Sequence, residues 1–330
     1  MKQNKNMVNV EVSFRLVNLD FDGFDEFQLA ENILLRKMSS IELNIKYPIK
    51  SIYIGLGDLE KQSWENHQIE SIINLNIPES ELEKVYSVEQ TDLYQNLIIN
   101  LFLYNNYITG SMIYATHCSI RINNNITLCT LGYKGYNFVP NKLNLHQLQK
   151  ISNTYNILRL INSDVVLSRA LNRFYIALKE DLHSPNMVNS PNWDKIVDFV
   201  ISLESILLST PDNNKSELTY RFKLNGSSLL WDVTGLDKKI IFEVLGKIYG
   251  IRSNIVHGGD DKNIERDIDI ILSKLKIDYE KEVEGIGKLM ILSNLLENWI
   301  RISIEKLANI PLEKRPYKTV GGWEEYIWNN

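Results

Sequence analysis

The spacing of apolar residues changes near residue 140, and this change limits the fold more than any other feature of the chain. Upstream, Val8, Val10 and Val12 alternate with polar residues, which is typical of strands with one buried face. Downstream, apolar residues recur every three or four positions, as in helices with one buried face. The segment 137–142, which contains Pro140, lies between the two patterns. The sequence therefore predicts an α+β protein, with a β-rich N-terminal domain over 1–142 and a helical domain over 143–330.

The same patterns predict individual elements. Strands are expected at 8–16, 41–47, 51–56, 71–77, 97–103, 113–121 and 126–130. Helices are expected at 143–162, 164–182, 191–209, 214–231, 237–257, 263–277 and 280–308. The tail over 311–330 contains Trp323 and Trp328 but has no clear period, so packing on the body and packing on a partner both remain open.

The two cysteines, Cys118 and Cys129, flank a predicted hairpin turn at 123–125. A three-residue loop would place Cys118 opposite Thr130, so the two thiols would lie on opposite faces of the hairpin. This register predicts free thiols and a reducing compartment. His117 precedes Cys118, but no further cysteine or histidine cluster completes a set of four ligands, so the sequence predicts a strand histidine and no metal site.

Composition limits the classes of partner. The formal net charge of −5 provides no overall attraction to nucleic acid, so any RNA binding must come from a local patch. No apolar run approaches the length of a membrane span, and the first residues do not form a signal-peptide core. We therefore expect a cytoplasmic protein that does not bind a membrane.

The helix expected at 237–257 carries the residues that most favour chemistry. Its buried face is predicted from five apolar residues at helical intervals, namely Ile241, Val244, Leu245, Ile248 and Ile255. Thr234 and Asp237 form a candidate N-cap pair, and two glycines at 258–259 form a candidate stop signal.

Polar groups line one edge of this helix near its C-terminal end. Tyr249, Ser253 and His257 follow one another at four-residue steps. Arg252 lies about 140° round the helix from His257, so the two side chains can converge only because arginine is long and the helix ends here. The helix dipole favours a protonated imidazole at this end, which makes His257 a candidate for proton transfer near neutral pH.

The stretch from Arg252 to His257, preceded by Tyr249, resembles the active-site helix of HEPN domains, especially the Apea-like HEPN group. The segments 193–208 and 217–230 resemble the same group in the same order. The resemblance covers about residues 145–310. It implies a HEPN-type helical bundle and a metal-independent endoribonuclease without a cofactor, in which two domains pair around a two-fold axis. Arg252 would then hold the scissile phosphate, and His257 would transfer protons.

Further residues are expected to support this site. Ser253 stands where many HEPN proteins have Asn, His or Asp, and its hydroxyl either orients His257 or bonds back to the helix; Asn254 and Tyr249 flank the pair. Glu204 and Arg221 are candidates for a supporting role, and an ordinary buried ion pair is an equal alternative for each. Gly250 would let another helix approach closely, which suits a paired interface and also plain packing.

Two functions therefore remain open at the level of sequence. The first is an endoribonuclease effector of the kind that HEPN proteins provide in antiviral defence and toxin systems. The second is a non-catalytic HEPN module that binds RNA, a nucleotide or a partner protein. The expected partners are RNA, a second copy of the chain through the helical domain, and a protein that activates or inhibits the site. The apolar stretch 283–304, wider than one helix face needs, also favours the homodimer.

Overall fold

The computed structural model describes residues 6–17, 19–39, 41–42, 46, 69–85, 97, 100–101, 104–105, 114–122, 125–130, 141–161, 163–180, 193–211, 216–277 and 286–329. The chain divides into two compact units, Met1–Asn156 and Ile157–Asn330. The sequence pattern predicts a domain boundary after Lys142, where the spacing of apolar residues changes from that of strands to that of helices. The later division arises because the first long helix begins within the N-terminal unit, where the Ser152 hydroxyl donates to the Leu29 carbonyl at 2.7 Å.

The N-terminal unit contains an antiparallel sheet, as the alternating sequence predicts. Its strands are ordered β3-β4-β5-β1-β6-β7, and β2 pairs in parallel with β8. The strand bounds are β1 Met7–Val17, β2 Leu19–Phe21, β3 Glu26–Ala30, β4 Ile33–Lys37, β5 Ile69–Pro78, β6 Tyr114–Ile122, β7 Asn125–Thr130 and β8 Asn141–Leu143. A short helix, α1 (Leu82–Val85), follows β5.

The strand β1 pairs with a neighbour on each side, and one of its faces is apolar and buried. Val10, Val12, Phe14 and Leu16 have at most 1% of their surface exposed. The opposite face is also buried at Ser13 and Arg15. In the strand register, Arg15 lies opposite Glu70 of β5. Arg36 and Lys46 form ion pairs with the Glu70 carboxylate at 2.9 and 2.5 Å. These paired charges let the second face be buried, since charged groups withdrawn from water need partners.

Two strand predictions are wrong. In the segment 41–47, residues Ile41, Glu42 and Lys46 are helical. The Ser39 hydroxyl accepts from the Glu42 amide, and the Glu42 carboxylate accepts from the Ser39 amide, so this reciprocal cap overrides the alternation of apolar residues.

In the segment 97–103, the described residues Leu97, Asn100 and Leu101 are also helical. Leu101 and Tyr104 are buried one helical turn apart, a spacing that a strand could not use. The strand predicted at 51–56 lies outside the described residues.

The hairpin of β6 and β7 has a different register from the predicted one. Cys118 lies directly opposite Cys129, and Ile122 pairs with Asn125, so the loop contains two residues instead of three. Directly opposite residues share a face of the sheet. The predicted register, with the two thiols on opposite faces, is therefore wrong. Cys118 is nevertheless not part of a disulfide, as predicted, and His117 lies in β6 as expected.

The C-terminal part of the chain is helical, as predicted. The bounds are α2 Leu145–Leu160, α3 Val165–Glu180, α4 Trp193–Leu207, α5 Leu218–Thr234, α6 Lys238–Val256, α7 Asp261–Leu275, α8 Ile286–Ala308 and α9 Gly322–Asn329. Helices α2 to α7 match the predicted helices to within four residues at each end. Helix α8 ends where predicted, and its predicted start at 280 lies outside the described residues. Among the described residues, no helix combines the length and the apolar character needed to cross a bilayer.

Helix α4 is central to the helical unit because it packs against α3, α5, α6 and α8. Its apolar residues Ile196, Phe199 and Leu203 are fully buried. Even the polar Ser202 is buried, and its hydroxyl donates to the Ala170 carbonyl of α3 at 2.8 Å. A helix packed on several sides holds its remaining polar side chains in fixed positions.

The tail packs on the body of the helical unit through a buried charge cluster. The Arg315 guanidinium and the Tyr317 hydroxyl both donate to Oδ2 of Asp164, the latter at 2.6 Å. Arg315 also donates to the Ala308 carbonyl at the end of α8, and Asp164 accepts from the Val166 amide at the start of α3. One ion pair thus joins two helix ends to the tail. Trp323 is buried as well, whereas Trp328 is 87% exposed.

We predict that Asp164→Asn destabilises the helical unit by about 3 kcal/mol or more, because it leaves the buried Arg315 charge unpaired. Burial opposes ionisation of Asp164, but the hydrogen bonds from Tyr317 and Arg315 outweigh it and hold its pKa below the ordinary value. The stabilisation is therefore present above that ordinary pKa and is lost as the pH falls through the lowered one.

Urea unfolding followed by circular dichroism at pH 7 measures this loss. A suitable control is Asp269→Asn, which removes a more exposed pair with Lys288 and should cost less than about 1 kcal/mol. Equal stability of wild type and Asp164→Asn would show that the cluster does not hold the tail in place.

Candidate functional site

Helix α6 carries the predicted site, and both of its ends are defined by local hydrogen bonds. Asp237 is the N-cap, and its carboxylate accepts from the Lys239 amide at 2.7 Å. Thr234 does not complete the predicted cap pair, because its hydroxyl donates to the Leu230 carbonyl within α5. At the other end, Gly258 has φ +70° and the Gly259 amide donates to the Asn254 carbonyl at 2.7 Å, the closing bond of a Schellman motif.

The two faces of α6 differ in burial. Ile241, Val244, Leu245, Ile248 and Ile251 are fully buried, whereas Ile255, which was predicted to be buried, is only half-buried. Tyr249 and Ser253 are half-buried and His257 is exposed, so the polar edge emerges towards solvent along the helix. The predicted row of polar groups therefore ends at an accessible imidazole.

Arg252 lies one turn after Tyr249 and faces a carboxylate of the central helix. Its Nε is 3.6 Å from Oε1 of Glu204, with 27% and 18% of the two side chains exposed. The Nε atom is buried and has no hydrogen-bond partner within the described ranges. The distance is slightly too long for a hydrogen bond, so the pair is held by charge attraction across a partly buried gap.

Glu204, Tyr249 and Arg252 form one electrostatic cluster. Burial raises the pKa of Glu204, and the Arg252 charge opposes this rise. Burial and the nearby Glu204 carboxylate both raise the pKa of Tyr249. The ring of Tyr249 packs on Phe222 of α5, with the ring centres 5.1 Å apart. The predicted supporting residues Glu204 and Tyr249 therefore do lie beside Arg252.

Among the described residues, no hydrogen bond or ion pair joins Arg252 to His257. The Arg252 guanidinium faces α4 through Glu204, whereas His257 is the exposed C-cap of α6, where its amide donates to the Ser253 carbonyl at 3.1 Å. This separation follows from their positions, about 140° apart around the helix axis. Asn254 is half-buried, and its carbonyl accepts the hydrogen bond from the Gly259 amide that closes the helix end.

Arg221 belongs to α5, and its side chain reaches the C-terminal end of α4, the helix that carries Glu204. Its Nη2 donates to the Leu208 carbonyl at 3.5 Å, and Asn225 of the same helix donates to the Leu207 carbonyl at 2.7 Å. Carbonyls at a helix end lack intrahelical donors and need such partners. The contact described for Arg221 is thus with the backbone of the helix that carries Glu204. Asn225 was not anticipated, although an asparagine inside a helix pattern is a signal for such a bond.

The close approach of helices occurs at Gly226, not at Gly250. A Cβ at Gly226 would lie 2.5 Å from Cδ1 of Leu245 and 3.0 Å from Cδ1 of Leu207, so α4, α5 and α6 meet there. At Gly250, no atom of the described residues lies within 4 Å of such an atom. Among these residues, Gly250 therefore leaves open space on α6.

Most of the apolar residues of α8 lie inside the helical unit, although Met290 is 61% exposed. Leu292, Leu296, Trp299, Ile300 and Ile304 are at most 1% exposed. Helix α8 is therefore mainly a core helix. Its buried residues do not support the subunit interface that the sequence predicted for this apolar stretch. The remaining residues of that stretch, 283–285, lie outside the described ranges.

No protein-family model, curated protein or solved structure gives a significant match to this chain. Within the described ranges, no group of three or more His, Cys, Asp or Glu side chains could hold a metal ion. What defines the site is therefore its own geometry: Arg252 against Glu204, Tyr249 beside them, and His257 at the end of the same helix.

We predict that the stability difference between wild type and Glu204→Gln depends on pH with a defined sign. Because the pKa of Glu204 is raised in the folded state, folding favours its protonated form. The advantage of wild type over the variant should be greatest in acid and should decline as the pH rises from the ordinary glutamate pKa through the raised one.

Thermal unfolding of both proteins between pH 4 and pH 8 measures this dependence. Glu243→Gln is a control of opposite sign, because a hydrogen bond from Lys274 lowers the pKa of the exposed Glu243 carboxylate. A constant difference across the range, or one that grows with pH, would contradict the burial of a carboxylate beside Arg252.

Proposed function

We propose that this chain is a metal-independent endoribonuclease of the HEPN class that acts as a homodimer in the cytoplasm. The observation that carries the proposal is the last turn and a half of α6, which presents Arg252, a half-buried cation, and His257, an exposed imidazole. These are the two residue types that RNA cleavage without a metal requires.

Arg252 has the properties of a phosphate ligand. Its described partner is Glu204 at 3.6 Å, and its guanidinium makes no hydrogen bond among the described residues. An arginine has five N–H donors in a planar fork that matches two oxygens of a phosphate. Glu204 restricts the motion of the guanidinium, and the unused donors remain for an oxyanion. Partial burial strengthens the attraction to the charge that builds on the phosphate during cleavage.

His257 has the properties of a proton-transfer group. It is exposed at the end of α6, where a substrate can reach the imidazole. In the proposed reaction, a histidine removes the proton from the 2′-hydroxyl, and the 2′-oxygen forms a bond to the adjacent phosphorus. The bond from phosphorus to the 5′-oxygen breaks, and that oxygen takes a proton from an imidazolium. The products are a 2′,3′-cyclic phosphate and a 5′-hydroxyl.

Two copies of the chain are needed for this reaction. The attacking and leaving oxygens lie on opposite sides of the phosphorus, and one His257 cannot reach both. Within one copy, Arg252 and His257 also point to different sides of α6. A two-fold pairing would bring two Arg252 and two His257 side chains into one cleft. The open space above Gly250 provides room for a second helix beside the site.

The biological role that fits this activity is a defence or toxin effector with a controlled site. The net charge of −5 does not draw RNA to the chain in general, so a local site must select it. An activating or inhibiting protein partner is part of the proposal, as such effectors must be silent until triggered.

One observation favours the second candidate function, a non-catalytic module that binds RNA, a nucleotide or a protein. Arg252 already faces the Glu204 carboxylate, as an arginine in a structural ion pair would. In that case Arg252 would support the packing of α6 on α4 and His257 would have no catalytic role. Activity and stability measurements on the same variants separate the two functions.

We predict that the protein cleaves RNA in the presence of EDTA and leaves a 2′,3′-cyclic phosphate and a 5′-hydroxyl. His257→Ala should lower the rate by at least about 100-fold, the usual contribution of acid–base catalysis. Its melting temperature should stay near that of wild type, because an exposed helix-end side chain contributes little packing. Gel analysis of labelled RNA, with end-group treatment of the products, measures the cleavage rate and identifies the ends. Thermal unfolding followed by circular dichroism measures the melting temperature.

The matched control is His146→Ala, which removes another exposed histidine from a helix and should leave cleavage unchanged. Loss of wild-type activity in EDTA would contradict the metal-independent reaction. Melting of His257→Ala many degrees below wild type would show that His257 is structural.

A further inference from the structure

An open surface pocket lies at the start of α5, next to the candidate site. It is lined by Glu217, Leu218, Thr219, Tyr220 and Tyr249. Tyr249 is the residue one turn before Arg252, so the pocket and the candidate site share an edge of α6. None of the other four lining residues was assigned a role in the proposed reaction.

The pocket presents aromatic rings whose orientation is fixed by packing. Tyr220 is 52% exposed, and its ring meets Phe242 of α6 edge to face, with the ring centres 5.9 Å apart. The Tyr249 ring packs at a tilt of 50° against the ring of Phe222. A half-exposed ring that is already immobilised offers a stacking surface at low cost in conformational entropy.

Two cations, Lys223 and Arg252, lie near these rings. The ammonium of Lys223 lies 4.0 Å from the centre of the Phe242 ring, one helical turn after Tyr220. Arg252 lies one helical turn after Tyr249, and its charge acts on the Tyr249 hydroxyl, as does the charge of Glu204. Aromatic platforms flanked by cations are the arrangement by which proteins bind single-stranded nucleic acid, with bases on the rings and phosphates on the cations.

We propose that this pocket binds one unpaired nucleobase of the RNA, adjacent to the phosphate held by Arg252. The inference rests on the proposed function and adds a base preference to it. Tyr220 and Tyr249 provide the stacking surface, and Lys223 attracts the neighbouring phosphate.

The carboxylate of Glu217 sets the preference within the pocket. An ionised carboxylate only accepts hydrogen bonds. Guanine presents two adjacent donors, N1–H and the N2 amino group, which match the two carboxylate oxygens. Uracil presents a single donor between two carbonyl oxygens that repel the carboxylate. The pocket should therefore bind guanine most tightly and uracil least, because bases in single strands are read on their Watson–Crick edges.

Fluorescence anisotropy with two labelled 2′-O-methyl RNAs tests the pocket without cleavage, since the modified hydroxyl cannot attack. One probe is an oligouridine and the other is the same oligomer with a single central guanosine. Wild type should bind the guanosine probe more tightly. Tyr220→Ala should weaken binding of both probes by about tenfold, Tyr220→Phe should retain it, and Glu217→Gln should remove the preference between probes.

Trp328→Ala is the matched control, because it removes a highly exposed ring on α9 outside the pocket and should not change binding. Cleavage of unmodified RNA is measured with the same proteins. If wild type cleaves RNA but Tyr220→Ala binds as wild type does, or Glu217→Gln keeps the preference, the pocket is not a base site and the nuclease proposal stands. If wild type neither binds the probes nor cleaves RNA, the proposed function fails and this inference fails with it.

Discussion

The packing of α4, α5 and α6 around Gly226 is the constraint on which the candidate site depends. The side chains of Leu207 and Leu245 occupy the space that a larger residue at Gly226 would need. This contact fixes α6 against α4, and so it fixes Arg252 against Glu204. The site is therefore built on two rigid helices, which position a charged pair more accurately than a loop would.

Much of the fold could be predicted because the spacing of apolar residues reports which face of an element is buried. The bounds of α2 to α7 and the central strands β1, β5 and β6 follow from this pattern, whereas the short helices α1 and α9 were not predicted. The failures occur where local polar chemistry decides. The capping pair of Ser39 and Glu42 turns an alternating segment into helix, and a two-residue loop instead of three shifts Cys118 opposite Cys129. Apolar spacing does not contain either kind of information.

The candidate site could be predicted only where its residues share one helix. Tyr249, Ser253 and His257 do form a row on α6, and the end of the helix lies where two glycines indicate it. The pairing of Arg252 with Glu204 joins residues 48 positions apart and depends on how α4 packs. The pocket proposed to bind a base could not be predicted from sequence for the same reason, because Tyr220 and Tyr249 line it together only after α5 folds against α6. The spacing of apolar residues within one helix does not reveal which residues of another helix it will contact.

The central claim is that one active site is made by two copies of the chain, and a subunit-mixing experiment tests it most directly. Wild type is mixed with a tenfold excess of the double variant Arg252→Ala, His257→Ala, and RNA cleavage is followed while subunits exchange. A composite site predicts that activity falls about tenfold as most wild-type subunits pair with inactive copies. The same excess of Arg266→Ala, His146→Ala, two exposed residues outside the site, should leave activity unchanged. Full activity after confirmed exchange with the inactive variant would contradict the account.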